Sequence, residues 1–129
     1  MNKKFLDGKI YVLVAAIAIA GGVMAWKYIK PAPEAGTYDV FAQCLAAKQV
    51  VMYGAYWCPH CLNQKKIFGS SFEHVPYVEC AIRGRREQTQ TCTDAGIKGF
   101  PTWIFADGSR VEGEMSLKAL GEKTSCSLP

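Results

Sequence analysis

Tyr53-Gly-Ala-Tyr-Trp-Cys58-Pro-His-Cys61-Leu-Asn-Gln-Lys-Lys-Ile-Phe68 is the stretch on which the fold turns. Two cysteines three apart, Cys58 and Cys61, follow closely on an apolar, aromatic run, Val50 to Tyr53, that reads as a buried strand. The Cys-x-x-Cys therefore sits at a strand-to-helix junction. Pro59 suits the first helical position, where its missing N–H costs nothing, so Cys58 becomes the cap residue and Cys61 lies one turn in. The unpaired N–H groups and positive dipole end of that helix favour Cys58 as thiolate, the form that attacks disulfides. His60, if protonated, adds to that stabilisation. A stabilised thiolate means a less stable disulfide, which biases the pair towards oxidising its partners. A structural disulfide, or half of a zinc site, is the plainer reading of the same spacing. Strand, Trp57, Pro59 and helix around the pair favour redox chemistry over both.

Working outward, Val40, Phe41, Cys44 and Leu45 are expected to share one face of a helix capped by Thr37 or Asp39 and ended by Lys48-Gln49. The active-site helix should run from Pro59 to Phe68, stopped by Gly69, with Gln64, Lys65 and Lys66 on its wet side. Ser70 to Pro76 is a connection and Val75 to Cys80 a second strand. Arg83 to Arg86 is a turn-rich loop, and Glu87 to Ala95 a polar helix ended by Gly96. Thr102 to Ala106 and Arg110 to Glu112, joined through Asp107-Gly108, read as an antiparallel hairpin. Ser116 then caps a last helix through Leu117 and Leu120. A βαβ unit followed by a hairpin gives an α/β fold, a central four-stranded mixed sheet flanked by helices. His74 has no evident partner, and Trp103 is expected to pack the hairpin.

At 129 residues the chain holds one small domain plus an appendage. Six cysteines favour pairing in an oxidising compartment, although six allow 15 connectivities. A cytosolic zinc protein with four cysteine ligands is the rival. It usually shows two close Cys-x-x-Cys knuckles, whereas Cys80 and Cys92 are 12 apart. The net charge of +4 is no nucleic-acid signal, because the leading segment carries five lysines against Asp7 and Glu34 while Tyr38 onwards is nearly balanced. Arg83-Gly-Arg-Arg86 reads as a solvated loop.

Ile10 to Trp26 is a run of 17 residues without a charge, bracketed by Lys9 and Lys27. Lysine snorkelling and the aromatics Tyr11, Trp26 and Tyr28 extend it towards the roughly 20 residues that cross a bilayer core. Lys3, Lys4 and Lys9 precede it, so the expected topology is N-in, C-out. A cleavable signal peptide competes, since Ala18-Ile-Ala20 and Val23-Met-Ala25 resemble cleavage sites, but the apolar run exceeds a typical signal core. The expected organisation is a cytoplasmic N-terminus over 1–9, a transmembrane anchor over 10–29, a stiff linker over 30–37 and the globular domain over 38–129.

These motifs resemble the thioredoxin superfamily, and more closely the small thioredoxin-like domain fused to bacterial vitamin K epoxide reductase homologues. The resemblance is carried by Tyr53-Gly-Ala-Tyr-Trp-Cys-Pro-His-Cys61 with Asn63-Gln64-Lys65-Lys66, by Tyr77-Val-Glu-Cys80, by Cys92 and by Gly96-Ile-Lys-Gly-Phe-Pro-Thr-Trp103, within about Val40 to Leu120. Cys-Pro-His-Cys is also the tetrapeptide of DsbA-type oxidases, whose large helical insertion has no room here. Met52 departs from many cytosolic thioredoxins, which carry there a buried acid that assists the second cysteine. The resemblance implies that Pro101 forms a cis-proline loop facing the cysteines, letting the Phe100 backbone pair with an extended substrate beside Cys58.

It also implies a matching second pair, Cys80 with Cys92, and strand end and returning helix bring those sulfurs within reach. The expected outcome is a structural disulfide pinning the Arg83 to Arg86 loop, with a second electron-relay pair as the alternative. Cys44 either bonds Cys126 or stays a buried free thiol. Together these readings imply a membrane-anchored, extracytoplasmic thiol–disulfide oxidoreductase. Cys58 is its exposed nucleophile, Cys61 the buried resolving thiol, and Trp57, Pro59, His60, Phe100 and Pro101 support the site. The expected partners are protein thiols or disulfides, the lipid bilayer, and a separate membrane redox protein, vitamin K epoxide reductase or DsbB-like. No metal or organic cofactor is needed, because the disulfide itself carries two electrons. An extracytoplasmic reductase of the same fold and a non-catalytic zinc or partner-binding module are the alternatives.

Overall fold

The alternation of strand and helix signals folds into a mixed four-stranded sheet. The computed structural model describes residues 36–129, with Tyr11 alone of those before them. The expected cytoplasmic segment and membrane anchor therefore fall outside the described residues. Among the described residues no helix is long and apolar enough to cross a membrane.

The elements are α1 (Asp39–Ala47), β1 (Val51–Gly54), α2 (Pro59–Phe68), a 3₁₀ turn (Gly69–His74), β2 (Tyr77–Glu79), α3 (Gln90–Asp94), β3 (Thr102–Ile104), β4 (Arg110–Glu112) and α4 (Leu117–Thr124). The sheet order is β2-β1-β3-β4. β1 runs parallel to β2 and antiparallel to β3, and β3 and β4 form the expected hairpin.

Cross-strand partners lie on one face of a sheet. Met52 pairs with Tyr77 and with Trp103, and Trp103 pairs with Val111, so these residues turn to the main core with Phe41, Leu45, Phe68 and Leu120. Phe68 stacks against Phe41 at 6.1 Å between ring centroids and tilts against Trp103 at 6.4 Å, which ties α1, α2 and β3 together. Tyr53, Val78 and Ile104 face the other way, onto a thin second cluster of Cys80, Cys92 and Ile97. α3 is only five residues long, so little else covers that side.

Several local expectations give way to tertiary contacts. Buried Phe41, Ala42 and Leu45 turn α1 so that Val40, expected on its inner face, is 81% exposed. Its cap residue is Tyr38, with no side-chain cap bond, while the Asp39 carboxylate accepts from Gly36 N–H at 2.8 Å. The connection after α2 is helical, and His74 has partners there, with Asp39 Oδ2 at 3.7 Å and Glu73 Oε1 at 3.6 Å from its Nε2. The polar helix starts three residues late because Gln88 is engaged in a bridge with Ala81 and donates to the Ile97 carbonyl. Gln64, expected on the wet side of α2, is fully buried. By contrast, α2 has the expected bounds, with Gly69 at φ 60° ending it, and Ser116 caps α4 by accepting from Ala119 N–H at 3.1 Å.

Candidate active site

β1 ends at Gly54, and the chain turns through Ala55 to Trp57 before α2 begins. Cys58 N–H donates to Ala55 O at 3.0 Å, and Leu62 N–H to Cys58 O at 3.0 Å closes the first turn of the helix. Cys58 is thus the N-cap, with Pro59 beginning the helix, and its side chain makes no cap bond. The sulfur is left for other contacts. Its thiol reaches across to the Phe100 carbonyl at 3.6 Å, so the Phe100–Pro101 loop, which has a cis peptide bond, lies directly against it. Cys58 is only 6% exposed, a recessed rather than an exposed sulfur, because that loop closes over its side. Trp57, 58% exposed, meets the Phe100 ring edge-on at 6.2 Å and forms the rim.

Cys61, one turn further in, has no exposed surface. Burial pushes its thiol up to about 12, and the neighbouring Cys58 adds to the rise while the Ala55 backbone and Lys65 oppose it. Both cysteines are free thiols here. Gly54 makes room for the pair, since a Cβ there would lie 2.8 Å from Cys61 Sγ and 3.3 Å from the Tyr77 hydroxyl.

Tyr77 and Glu79 line the same side. The Tyr77 hydroxyl donates to Glu79 at 2.8 Å, and the carboxylate also accepts from the N–H groups of Tyr56, at 3.1 Å, and Ala81, at 2.9 Å. One acidic side chain on β2 therefore holds the turn that carries Trp57 and Cys58. Burial and the bond to Glu79 hold the Tyr77 phenol well above its ordinary range. Lys65 Nζ stands 3.6 Å from the centre of that ring.

His60 pairs with Glu114, Nδ1 to Oε1 at 2.7 Å. Buried Gln64 donates to Met115 O at 2.9 Å and accepts from Met115 N–H at 2.7 Å, fastening α2 to the segment before α4. Thr102 Oγ1 donates to Gly99 O at 2.8 Å and steadies the loop around Pro101. Gly54, Gln64, Tyr77 and Glu79 lie within the motifs that carried the resemblance but were given no role at the site, and Glu114 was not singled out. A small residue at the end of the strand before the cysteines was the one local signal among them.

The other four cysteines form two disulfides, Cys44–Cys126 at 2.02 Å and Cys80–Cys92 at 2.01 Å. Sulfurs so bonded are not available as the thiolate ligands a zinc site uses. The site can therefore do two-electron sulfur chemistry: a recessed thiol at a helix start, a buried thiol behind it, and a backbone carbonyl beside it.

No family model matches the chain. It is 47% identical over 81 residues to a thiol-disulfide oxidoreductase of Arabidopsis thaliana, covering 60% of this chain and 21% of that protein. It is 33% identical over 132 aligned residues to a protein disulfide isomerase-like protein of Oryza sativa subsp. japonica, covering 88% of this chain and 34% of that protein. The chain thus spans between about a fifth and a third of the length of these curated relatives. The mixed sheet, the cysteine pair at the β1–α2 junction and these two relatives together support a place for the chain in the thioredoxin-like superfamily.

Proposed function

We propose that this protein is a membrane-anchored, extracytoplasmic thiol–disulfide oxidoreductase that oxidises protein dithiols through Cys58 and Cys61. The observation that carries the reading is the inequality of the two sulfurs. Cys58 caps the helix beside Phe100 O and the Trp57 rim, whereas Cys61 is sealed behind it with its thiol pushed up to about 12.

In the oxidised enzyme a substrate thiolate attacks Cys58 Sγ. The Cys58–Cys61 bond breaks, Cys61 leaves with the electron pair and takes a proton, and a mixed disulfide joins substrate to Cys58. The second substrate thiolate then attacks the substrate sulfur of that bond and expels Cys58. Substrate has lost two electrons and two protons, and the enzyme is a dithiol. Burial disfavours the Cys61 thiolate that would reverse the first step, which leaves time for the second substrate thiol, while Cys61 is the one enzyme thiol placed to release a partner that does not resolve itself. A membrane redox protein of the vitamin K epoxide reductase or DsbB type would take the two electrons and regenerate the disulfide.

The uncharged run from Ile10 to Trp26 supports the anchor, and two further disulfides suit an oxidising compartment. Expressed in cells as the full chain, Cys61→Ser should accumulate mixed disulfides that run as reducible high-mass bands, and Cys58→Ser/Cys61→Ser should accumulate none. A folded Cys61→Ser variant that captures nothing, or capture that survives loss of Cys58, would overturn the reading.

A further inference from the structure

On the Trp57 and Phe100 side of the site the surface opens into a groove of about 350 Å³, reached from Cys58 through the Phe100 carbonyl that its thiol meets. One wall is apolar, made by the Trp57 rim and Phe100. The other is the loop between β2 and α3, which contributes Arg85, Arg86, Glu87 and Gln88. Arg83, in the same loop, lays its guanidinium 5.0 Å from the centre of the Tyr56 ring, two residues before Cys58.

The loop is held at its base on several sides. The Cys80–Cys92 bond, the Ala81–Gln88 bridge and the bond from Thr89 N–H to Cys80 O at 2.8 Å join its two ends, and Arg85 N–H donates to Ile82 O at 3.1 Å across its turn. Three exposed arginines are thus presented beside the reactive sulfur against one exposed carboxylate, Glu87. Glu79 is a second carboxylate near the base of the loop, its oxygens accepting from Tyr56, Tyr77 and Ala81. Among the described residues no ion pair involves Arg83, Arg85 or Arg86. Three of the ten lysines and arginines from Tyr38 onward thus lie in this one loop, and two of them line a groove shared with Phe100, whose carbonyl meets Cys58.

We infer that this groove selects substrates: an extended polypeptide segment whose reactive cysteine is flanked by acidic side chains, with carboxylates meeting Arg85 and Arg86 while an apolar neighbour of the cysteine rests on Trp57 and Phe100. The inference deepens the function proposed above and rests on it. Arginine matches carboxylate through paired N–H donors, and a short chain lying past Phe100 O advances about 3.3 Å per residue, so positions near the cysteine reach the loop. Charge placed this way acts mainly on the rate of encounter and is screened by salt.

The test uses the oxidised full chain and two synthetic dithiol peptides of equal length, identical except that Asp and Glu beside the cysteines in one are Asn and Gln in the other. Dithiothreitol, a neutral dithiol, is the third substrate. At low salt the acidic peptide should be oxidised about tenfold faster than its amide twin, a gap that closes in about 0.5 M salt. In Arg85→Gln/Arg86→Gln the ratio of the two peptide rates should fall below about twofold. Equal peptide rates in the unmodified chain, or a ratio that survives the double substitution, would overturn the groove's role even while dithiothreitol is oxidised. If dithiothreitol itself is not oxidised, the redox reading fails and the groove's role with it.

Discussion

Two cysteine pairs meet the sheet on opposite faces and end in opposite states. Cys58 and Cys61 stand at the start of α2 on the main-core side, both free, one at a rim open to Phe100 and Trp57. Cys80 and Cys92 are bonded to each other within the thin cluster around Ile97, and both are without exposed surface. Burial alone does not separate the pairs, since Cys61 is as deep as either. What differs is that Cys58 sits where backbone N–H groups are unpaired and a second chain can approach, which is where thiol reactivity is set. On the proposed function, the same element becomes a reagent at a helix mouth and a staple inside a cluster.

The comparison is tested hardest by removing the staples. Cys44–Cys126 closes the longer loop, with a separation of 82, and joins α1 to the end of the chain beyond α4. Cys44→Ser/Cys126→Ser should lower unfolding free energy by about 4.5 kcal/mol on the chain-entropy argument. Read by urea unfolding, that is the largest expected loss. Oxidation of dithiothreitol by the remaining folded protein should stay within about twofold, since no part of this bond meets Cys58. A collapse of turnover in folded protein would show that the distinction between reagent and staple is wrong. Cys80–Cys92 closes a loop with a separation of 12, and Cys80→Ser/Cys92→Ser should cost about 3 kcal/mol. The loop it pins carries Arg83 to Arg86, so peptide selectivity should weaken in this variant while dithiothreitol oxidation persists.

What the sequence showed and hid follows the same division between local and distant causes. The β1–α2 junction was legible because its signals are adjacent: an apolar strand, Pro59 at the helix start and Gly69 at its end. Ser116 and Asp107-Gly108 were legible for the same reason. The residues that hold the site in place were not. His60 meets Glu114 across 54 positions and Glu79 meets Tyr56 across 23, and no periodicity rule reports such meetings. Val40 misled because the neighbours that orient α1 come from elsewhere in the chain, Phe68 among them.

Gln64 sharpens that division and carries the smallest of the three effects. By pattern it belongs with Lys65 and Lys66 in water, yet it is fully buried because Met115 supplies both a donor and an acceptor 51 residues away. An amide side chain can answer a backbone N–H and C=O together without carrying a charge at any pH. Gln64→Leu keeps most of the volume and removes both bonds, leaving the Met115 N–H and C=O without their partner at a cost of about 2 kcal/mol. Gln64→Glu can answer both Met115 groups only as the protonated acid, so its stability should approach that of the unmodified chain as pH falls and drop as pH rises and the buried carboxyl ionises. Because Gln64 lies one turn beyond Cys61 on α2, hydrogen exchange at Met115 and Ser116 should rise in Gln64→Leu before exchange rises around Cys58. Equal stability of Gln64→Leu and the unmodified chain would mean that α2 is held by Phe68 and its aromatic neighbours alone, with the distant polar pair adding nothing.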